Sequence, residues 1–491
     1  MSAELLINVT PTETRVAVVE NGSLQEVHIE RQAKLGLVGN IYCGKVSRVL
    51  PGMQAAFIDI GLDKAAFLHA SDITVHEAVN AEEAIAREDL PVRDIRDLVK
   101  EGQAIVVQVV KDPLGTKGAR LTTDITVPSR YLVLMPDAQH VGVSQRIETE
   151  EERERLKVLI SQFSDESGSF IVRTAAEGVS ETELEQDAVF LKRLWQKISK
   201  QKKQSGKIRC LYDDLTLEFR IIRDFVGTQL ERVRVDSKLA HEELKSFIKE
   251  FVPNLSNALE YYPGERPIFD LFEVENEIQR ALEKKVQLKS GGYLIIDQTE
   301  AMTTIDINTG AFVGHRNLED TIFNTNVEAT QAIARQLRLR NLGGIIIIDF
   351  IDMQSEDHKR RVLHSLEQAL AHDRTKCNVH GFSALGLVEM TRKRTRESLE
   401  HVLCDACPSC QGRGTLKTVE TICYEILREV VRVNRAYDAD RFIVYASPAI
   451  CEYIMSEESQ ALGELELFIG KQIKVKAESM YGQEKYDVVM I

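Results

Sequence analysis

The 491 residues contain no stretch apolar enough to span a bilayer, and the N-terminus lacks the pattern of a signal peptide. Membrane and secreted classes are set aside, and a soluble cytoplasmic protein is expected. Cysteine is sparse: of eight, Cys43, Cys210, Cys377, Cys423 and Cys451 are scattered singly, which excludes a secreted disulfide framework. No internal repeat or low-complexity tail is present. Positive charge is in deficit too, with a formal net charge of −14, which argues against a nucleic-acid binder if charge is spread evenly.

Charge is not spread evenly. Residues 191–209 hold Lys192, Arg193, Lys197, Lys200, Lys202, Lys203, Lys207 and Arg209 with no acid between them. A second cluster is Arg392-Lys393-Arg394-Thr395-Arg396, and Arg335, Arg338 and Arg340 crowd the end of an expected helix. The global sign therefore decides little, and a solvated helix face explains the 191–209 run as well as RNA binding does.

The length calls for roughly three to five domains. Alternating residues around Glu20-Asn21-Gly22 predict an opening β-hairpin. Short glycine-punctuated strands from Gly39 to about Pro128 predict a small β-barrel, interrupted over 71–101 by an acidic insertion read as loop and helix. A new unit begins at Tyr131, with acidic helices alternating with strands, and 210–226 reads as strand-rich. From Val274 the expected order is a long helix to Leu288, a hairpin at Ser290-Gly291-Gly292, strands over 293–296 and 302–307, a helix over 326–339, a strand over 345–349 and a helix over 355–370. A helix through Glu425 to Val433 and a unit of alternating strands close the chain.

Two apolar strands here run into aspartate: Thr303-Thr304-Ile305-Asp306-Ile307-Asn308 and Ile345-Ile346-Ile347-Ile348-Asp349-Phe350-Ile351-Asp352. Desolvating an unpaired carboxylate is expensive, so two such endings point to a shared cation. Residues two apart on a strand share a face, which puts Asp306 and Asn308 together, and Asp349 falls at a sheet's carboxyl edge. Magnesium takes hard oxygen ligands and keeps several waters, so two carboxylates with a nearby amide suffice. Taken alone, a strand-terminal Asp is more often a helix N-cap or turn former. Asp352 is either a further ligand or the opening of the next loop, and Asp297 and Glu300 flank the preceding strand, where they could orient the site.

The pattern Gly39-x-x-x-x-Gly44-x-Val46, Phe57-x-Asp59-x-Gly61 and Phe67-Leu68-His69-x-Ser71 resembles the ribosomal-protein-type RNA-binding OB-fold. Beside the small Ala55, Ala56, Ala65 and Ala66, the rings of Phe57 and Phe67 are then base-stacking platforms rather than core.

Thr303 to Asn308, Phe323-Asn324-Thr325-Asn326 and the run from Ile333 through Arg335-Gln336-Leu337-Arg338-Leu339-Arg340-Asn341-Leu342-Gly343-Gly344 to Ile345 resemble the nuclease domain of the ribonuclease E/G family. The likeness runs over essentially the whole chain. It implies an endoribonuclease that cuts single-stranded RNA, with magnesium on Asp306 and Asp349, Asn308 assisting, and 5′-phosphate and 3′-hydroxyl products. It also implies preference for a 5′-monophosphate, gripped by Arg173, Thr174 and the backbone at Val133, with Phe57, Phe67, Lys117 and Lys376 on the RNA. Lys376 and Gln145 stand where the family has arginine; a point-charge lysine substitutes in part. Ribosomal RNA maturation, including the small-subunit 5′ end, and messenger decay are the implied work.

The remaining cysteines read Cys404-Asp405-Ala406-Cys407-Pro408-Ser409-Cys410-Gln411-Gly412-Arg413-Gly414. A closed zinc site needs four ligands and one C-x-x-C supplies two. The resemblance implies a zinc shared between two protomers of a homodimer through Cys407 and Cys410. Cys404 forms a C-x-x-C with Cys407 as well, so spacing leaves the pair open. A redox dithiol is the alternative, disfavoured by the absence of an expected βαβ context.

The expected fold is multidomain α/β: a ribonuclease-H-like domain (1–38 and 219–281) interrupted by an OB-fold barrel (39–128) and a 5′ sensor (129–218). A deoxyribonuclease-I-like α/β catalytic domain (282–403), a zinc link (404–414) and a small C-terminal α/β domain (415–491) follow. A noncatalytic RNA-binding scaffold is the competing reading. A metal-dependent phosphatase or exonuclease would need neither barrel nor end sensor.

Overall fold

Strand pairing joins segments far apart in the chain. The computed structural model describes residues 3–74, 94–113, 117–138, 141–147, 149–164, 168–203, 208–225, 230–310 and 318–491, leaving the side chain of Lys203 undescribed. Most of the 71–101 insertion (75–93) and Lys207 of the basic run thus lie outside the described residues. The chain divides into two units, Met1–Val402 and Leu403–Ile491. No helix among the described residues is long and apolar enough to cross a membrane.

The opening hairpin joins Glu13–Glu20 to Ser23–Arg31 through Asn21 (φ 50°) and Gly22 (φ 73°), the paired positive φ of a turn whose twist matches its strands. Its five-stranded sheet runs Leu259–Tyr261, Leu230–Val235, Ala3–Val9, Glu13–Glu20, Ser23–Arg31. The first strand therefore pairs, in parallel, with residues far downstream.

Ile41–Leu50, Ala55–Asp59, Ala66–His69, Arg120–Thr122 and Ala104–Lys111 form a closed barrel, because Ile41–Leu50 pairs with both the second and the last of them. Val46, Ala56, Ile58, Ala66, Leu68, Val107 and Leu121 fill it. Arg209–Tyr212 adds to Ile41–Leu50 as a further antiparallel strand. The strand-rich reading of 210–226 is corrected: after that strand comes the helix Leu217–Asp224, burying Leu217, Ile221 and Ile222 at helical spacing.

A four-stranded sheet of Gly142–Val143, Ser169–Val172, Leu132–Met135 and Val127–Pro128 packs with helices Glu150–Ser161 and Glu181–Lys203. The next sheet has six strands in the order Lys285–Gln287, Tyr293–Gln298, Met302–Asn308, Gly344–Asp349, Val388–Arg392, Cys377–Phe382. Its first strand corrects the expected helix to Leu288, which ends at Leu282; Lys285–Gln287 is taken instead by the hairpin through Gly291 (φ 95°).

Helices Leu318–Leu339 and Glu356–Leu370 cover one face of that sheet, where Ile305, Ile307, Ile346 and Ile348 meet Ala329, Ile333, Leu337, Val362 and Leu366. The other face is open. The isoleucine run is therefore not buried on both sides: Ile345 is 49% exposed, Ile347 is half-buried, and only alternate residues enter the core.

In the second unit Arg441–Ala446 is the central strand, parallel to Gln472–Ala477 and antiparallel to Tyr486–Met490. Helices Pro448–Ser456 and Ser459–Ile469 make the parallel crossover, and Val419–Ala436 packs on Phe442, Val444 and Ile450. A βαβ arrangement is thus present in the expected α/β domain, in place of its unit of alternating strands, and a missing βαβ context no longer counts against a redox dithiol.

Candidate active site

Met302–Asn308 and Gly344–Asp349 are adjacent and parallel, and their register sets Asp306 directly opposite Asp349. Both carboxylates lie exposed on the open face, because Ile305, Ile307 and Ile348 claim the buried positions between them. In-register residues on adjacent strands sit about 4.8 Å apart, close enough to share one small cation. The Asn308 amide donates to Asp306 Oδ2 at 2.8 Å. Burial, then the negative charges of Asp306 and Asp352, push the Asp349 carboxyl above its ordinary value.

The helix N-cap explanation of Asp349 fails, since the following helix is capped by Ser355, whose Oγ accepts from the His358 amide. Asp352 lies in the intervening loop, exposed. Asp297 shares the open face but is paired with Lys284 at 2.6 Å, and Glu300 lies in the turn before Met302. No group of three or more His, Cys, Asp or Glu among the described residues is placed to hold a metal. Two carboxylates repelling each other beside an amide nevertheless fit a hard divalent ion that keeps several waters.

Asn326 was quoted only as motif text, yet it positions this loop. It is fully buried; its Nδ2 donates to the Ile351 carbonyl at 2.8 Å and its Oδ1 accepts from the Ile351 amide at 3.1 Å. The signal was an amide side chain in helical phase with the core-facing Ala329, Ile333 and Leu337.

On the barrel, Phe57 and Phe67 are register partners with ring centroids 6.2 Å apart, edge to face. Both are half-buried outside the barrel core, so their rings border solvent. Lys117 is exposed next to Gly118, where a Cβ would meet the Ala65 carbonyl oxygen at 2.0 Å; glycine lets Lys117 approach the strand carrying Phe67.

The phosphate-binding candidates divide. Thr174 and Lys376 line one cleft of about 1130 Å³ together with Arg146 and Lys393. Lys393 Nζ donates to Thr174 Oγ1, and Lys376 Nζ donates to Glu177 Oε1 and Oε2 at 3.0 and 3.1 Å. Arg173 and Val133 are not part of the lining: Arg173 Nη1 donates to the Ser129 carbonyl, and Val133 faces Ile171 across the strand pair. Gly344 and Ile345 also line the cleft, so it touches one end of the strand whose other end is Asp349, on the order of 13 Å away at about 3.3 Å per residue.

Most other basic candidates are structural. Arg338 is buried between Glu20 and Glu26, with its Nη2 2.7 Å from Glu20 and 2.9 Å from Glu26. Arg335 pairs with Glu277 and Leu24, and Arg392 forms a buried ion pair with Asp373 at 2.7 Å. Arg394 and Arg396 donate to the backbone of Gly343 and Val27. In the 191–209 run, Lys197 pairs with Glu250 at 2.7 Å.

In the second unit, Gln411 N donates to the Cys407 carbonyl and Arg413 N to that of Cys410, folding the motif into a turn that leaves Cys404 outside. The backbone amides of Cys410 and then Ser409 point at the Cys407 thiol and lower it from its ordinary value. A thiol lowered in this way suits a zinc ligand, and a C-x-x-C supplies two of the four that zinc needs.

The chain is similar to known proteins along its whole length. The profile of the Ribonuclease E/G family matches residues 126–395, and that of an RNase E/G thioredoxin-like domain matches 406–491. Ribonuclease G of Escherichia coli (strain K12) is 69% identical over 492 residues, covering all of both chains, and that of Haemophilus influenzae is 65% identical over the same span. Ribonuclease E of Escherichia coli (strain K12) is 34% identical over 472 residues, 94% of this chain and 43% of its own. On a family profile covering more than half of its residues and on full-length relatives of this identity, the chain belongs to the ribonuclease E/G family.

Proposed function

We infer that the protein is an endoribonuclease that hydrolyses single-stranded RNA internally at the Asp306–Asp349 pair with magnesium, leaving 5′-phosphate and 3′-hydroxyl ends. The ribonuclease assignment rests on full-length relatives named Ribonuclease G. The observation that carries the site is the register of Asp306 against Asp349 on an open sheet face. Asp306 and Asp349 would hold the ion, and Asn308, bonded to Asp306, fixes the rotamer of that carboxylate. Bound there, magnesium would neutralise charge on the phosphoryl oxygens and acidify the attacking water.

The barrel rings Phe57 and Phe67 are proposed to stack bases, with Lys117 on the backbone. The cleft bearing Thr174 and Lys376, with Arg173 and the Val133 backbone beside it, is proposed to take a 5′-monophosphate. Arg173 would have to leave the Ser129 carbonyl to reach a phosphate, so Thr174, Lys376 and Lys393 carry more of this reading. We also assign the chain a homodimer through zinc shared at Cys407 and Cys410, and the domain divisions and OB, ribonuclease-H-like and deoxyribonuclease-I-like identities expected from sequence. Its proposed substrates are ribosomal precursor, at the small-subunit 5′ end, and messenger RNA.

The test is end mapping on a structured RNA, with and without magnesium, for the protein and for Asp349→Asn. Discrete internal cuts that need both metal and Asp349 are expected. Retained cutting by Asp349→Asn would remove that carboxylate from the site, and binding without cutting by the unaltered chain would leave only a scaffold.

A further inference from the structure

Lys376 is one of two lysines lining the cleft, and it is already engaged. Both oxygens of Glu177 accept from its Nζ, at 3.0 and 3.1 Å. The 3-10 turn Thr174–Ala176 explains the placement, because residues three apart in such a turn lie on one side and bring Glu177 under Thr174. Just beyond the paired strands Cys377–Phe382 and Val388–Arg392, the Lys393 amide donates to the Lys376 carbonyl at 3.0 Å, which holds the two lysines side by side, Lys376 on Glu177 and Lys393 on Thr174. The bound pattern is one carboxylate and one hydroxyl arrayed against two ammonium groups.

We propose that Glu177 is a built-in competitor in this cleft, its carboxylate standing on Lys376 in the place of a phosphate so that a phosphorylated RNA end must displace it. The inference rests on the 5′-sensing reading above. A terminal monophosphate carries close to two negative charges at neutral pH and three open oxygens, so it can exchange for a carboxylate on a lysine. An internal phosphodiester carries one charge, and a 5′-hydroxyl none. The occupied lysine thereby weakens the grip on any anion that enters, the monophosphate included, while an end that brings no anion pays nothing.

The test uses the full-length protein with magnesium and two RNAs that differ only in a 5′-monophosphate or 5′-hydroxyl. In Glu177→Gln, which keeps the shape and removes the charge, KM for the monophosphate substrate falls. The hydroxyl-start substrate brings no anion to Lys376 and changes little, so the selectivity ratio rises several-fold. In a Lys376→Gln background the same change has no further effect, because the competition acts through that lysine. A ratio that is unchanged or lower in Glu177→Gln, with an unaltered thermal unfolding profile, overturns the proposal; so does an undiminished effect in the Lys376→Gln background. If the unaltered protein itself makes no distinction between the two RNAs, the sensing reading fails and Glu177 with it, whereas selectivity that does not rise in Glu177→Gln rejects Glu177 alone.

Discussion

Asn326 holds Ile351 by both of that residue's backbone polar groups, across 25 positions of chain. The loop between Asp349 and the next helix is thus tied to the core side of the sheet, two residues beyond the carboxylate. Asn326→Ala leaves the amide and carbonyl of Ile351 without partners and should cost about 1–3 kcal/mol. Steady-state kinetics should show kcat falling at least tenfold with little change in KM, and Asn326→Asp, which keeps only the acceptor, should fall between.

The Asp349 carboxyl is raised by burial, Asp306 and Asp352. Its folded value lies above its unfolded one, so at neutral pH the charged group opposes folding and the strain eases as pH falls. Without metal, Asp306→Asn should then match or exceed the unaltered protein in Tm while being inactive. With metal, activity should rise with pH through the Asp349 titration, and more magnesium should move that limb to lower pH; a limb that ignores magnesium would separate the carboxylate from the ion.

Acid should unlock the N-terminal sheet from the helix Leu318–Leu339. Burial works against the charge of Glu26, yet its hydrogen bond to His28 and the guanidiniums of Arg338 and Arg374 hold its carboxyl far below the ordinary 4.5. Burial, with Arg396, also depresses His28 from 6.5. Both folded values lie below the unfolded ones, so both contributions are present above the unfolded values and are lost as pH falls. Tm should decline first below about pH 6.5, then more steeply below about 4.5, and Glu26→Gln should flatten the second step in a calorimetric series.

Phe57→Ala and Phe67→Ala should each weaken RNA binding by about 1–3 kcal/mol, roughly five- to 150-fold in KM, with little loss of Tm because neither ring belongs to the barrel core. Fluorescence anisotropy with a single-stranded oligonucleotide reads this directly. A marked drop in Tm with unchanged affinity would make the rings structural.

Cys407→Ser and Cys410→Ser should each abolish zinc content and convert the dimer to monomer, while Cys404→Ser does neither. Elemental analysis with light scattering measures both. Zinc-loaded dimers in the first two variants would refute the shared site.

What could be read from the chain followed the range of the interactions involved. The Asn21-Gly22 hairpin, the barrel strands and the strands bearing Asp306 and Asp349 are local patterns, and they appear where expected. Whether one face or two of the isoleucine run are covered was not legible, because four consecutive apolar residues look alike in either case. Arg338 misled for another reason: its partners Glu20 and Glu26 are more than 300 positions away, so a basic cluster in sequence was an internal ion-pair network in space. Lys393 and Glu177 meet Thr174 and Lys376 only through tertiary structure, and no spacing rule announces that cleft. Asn326 was legible as an oddity but not as a clamp, because its partner is a backbone.

Ala3–Val9, made before its neighbour, waits for Leu230–Val235 before both its edges are filled. At about 5–20 residues per second, a ribosome would spend roughly ten to forty seconds before supplying that partner. Throughout that interval the nascent hairpin presents one bare edge of amides and carbonyls, the kind of surface that recruits strands from neighbouring chains. The barrel and the following unit, encoded in between, can finish folding in the meantime, so crowded or accelerated synthesis should harm the N-terminal sheet before it harms the barrel.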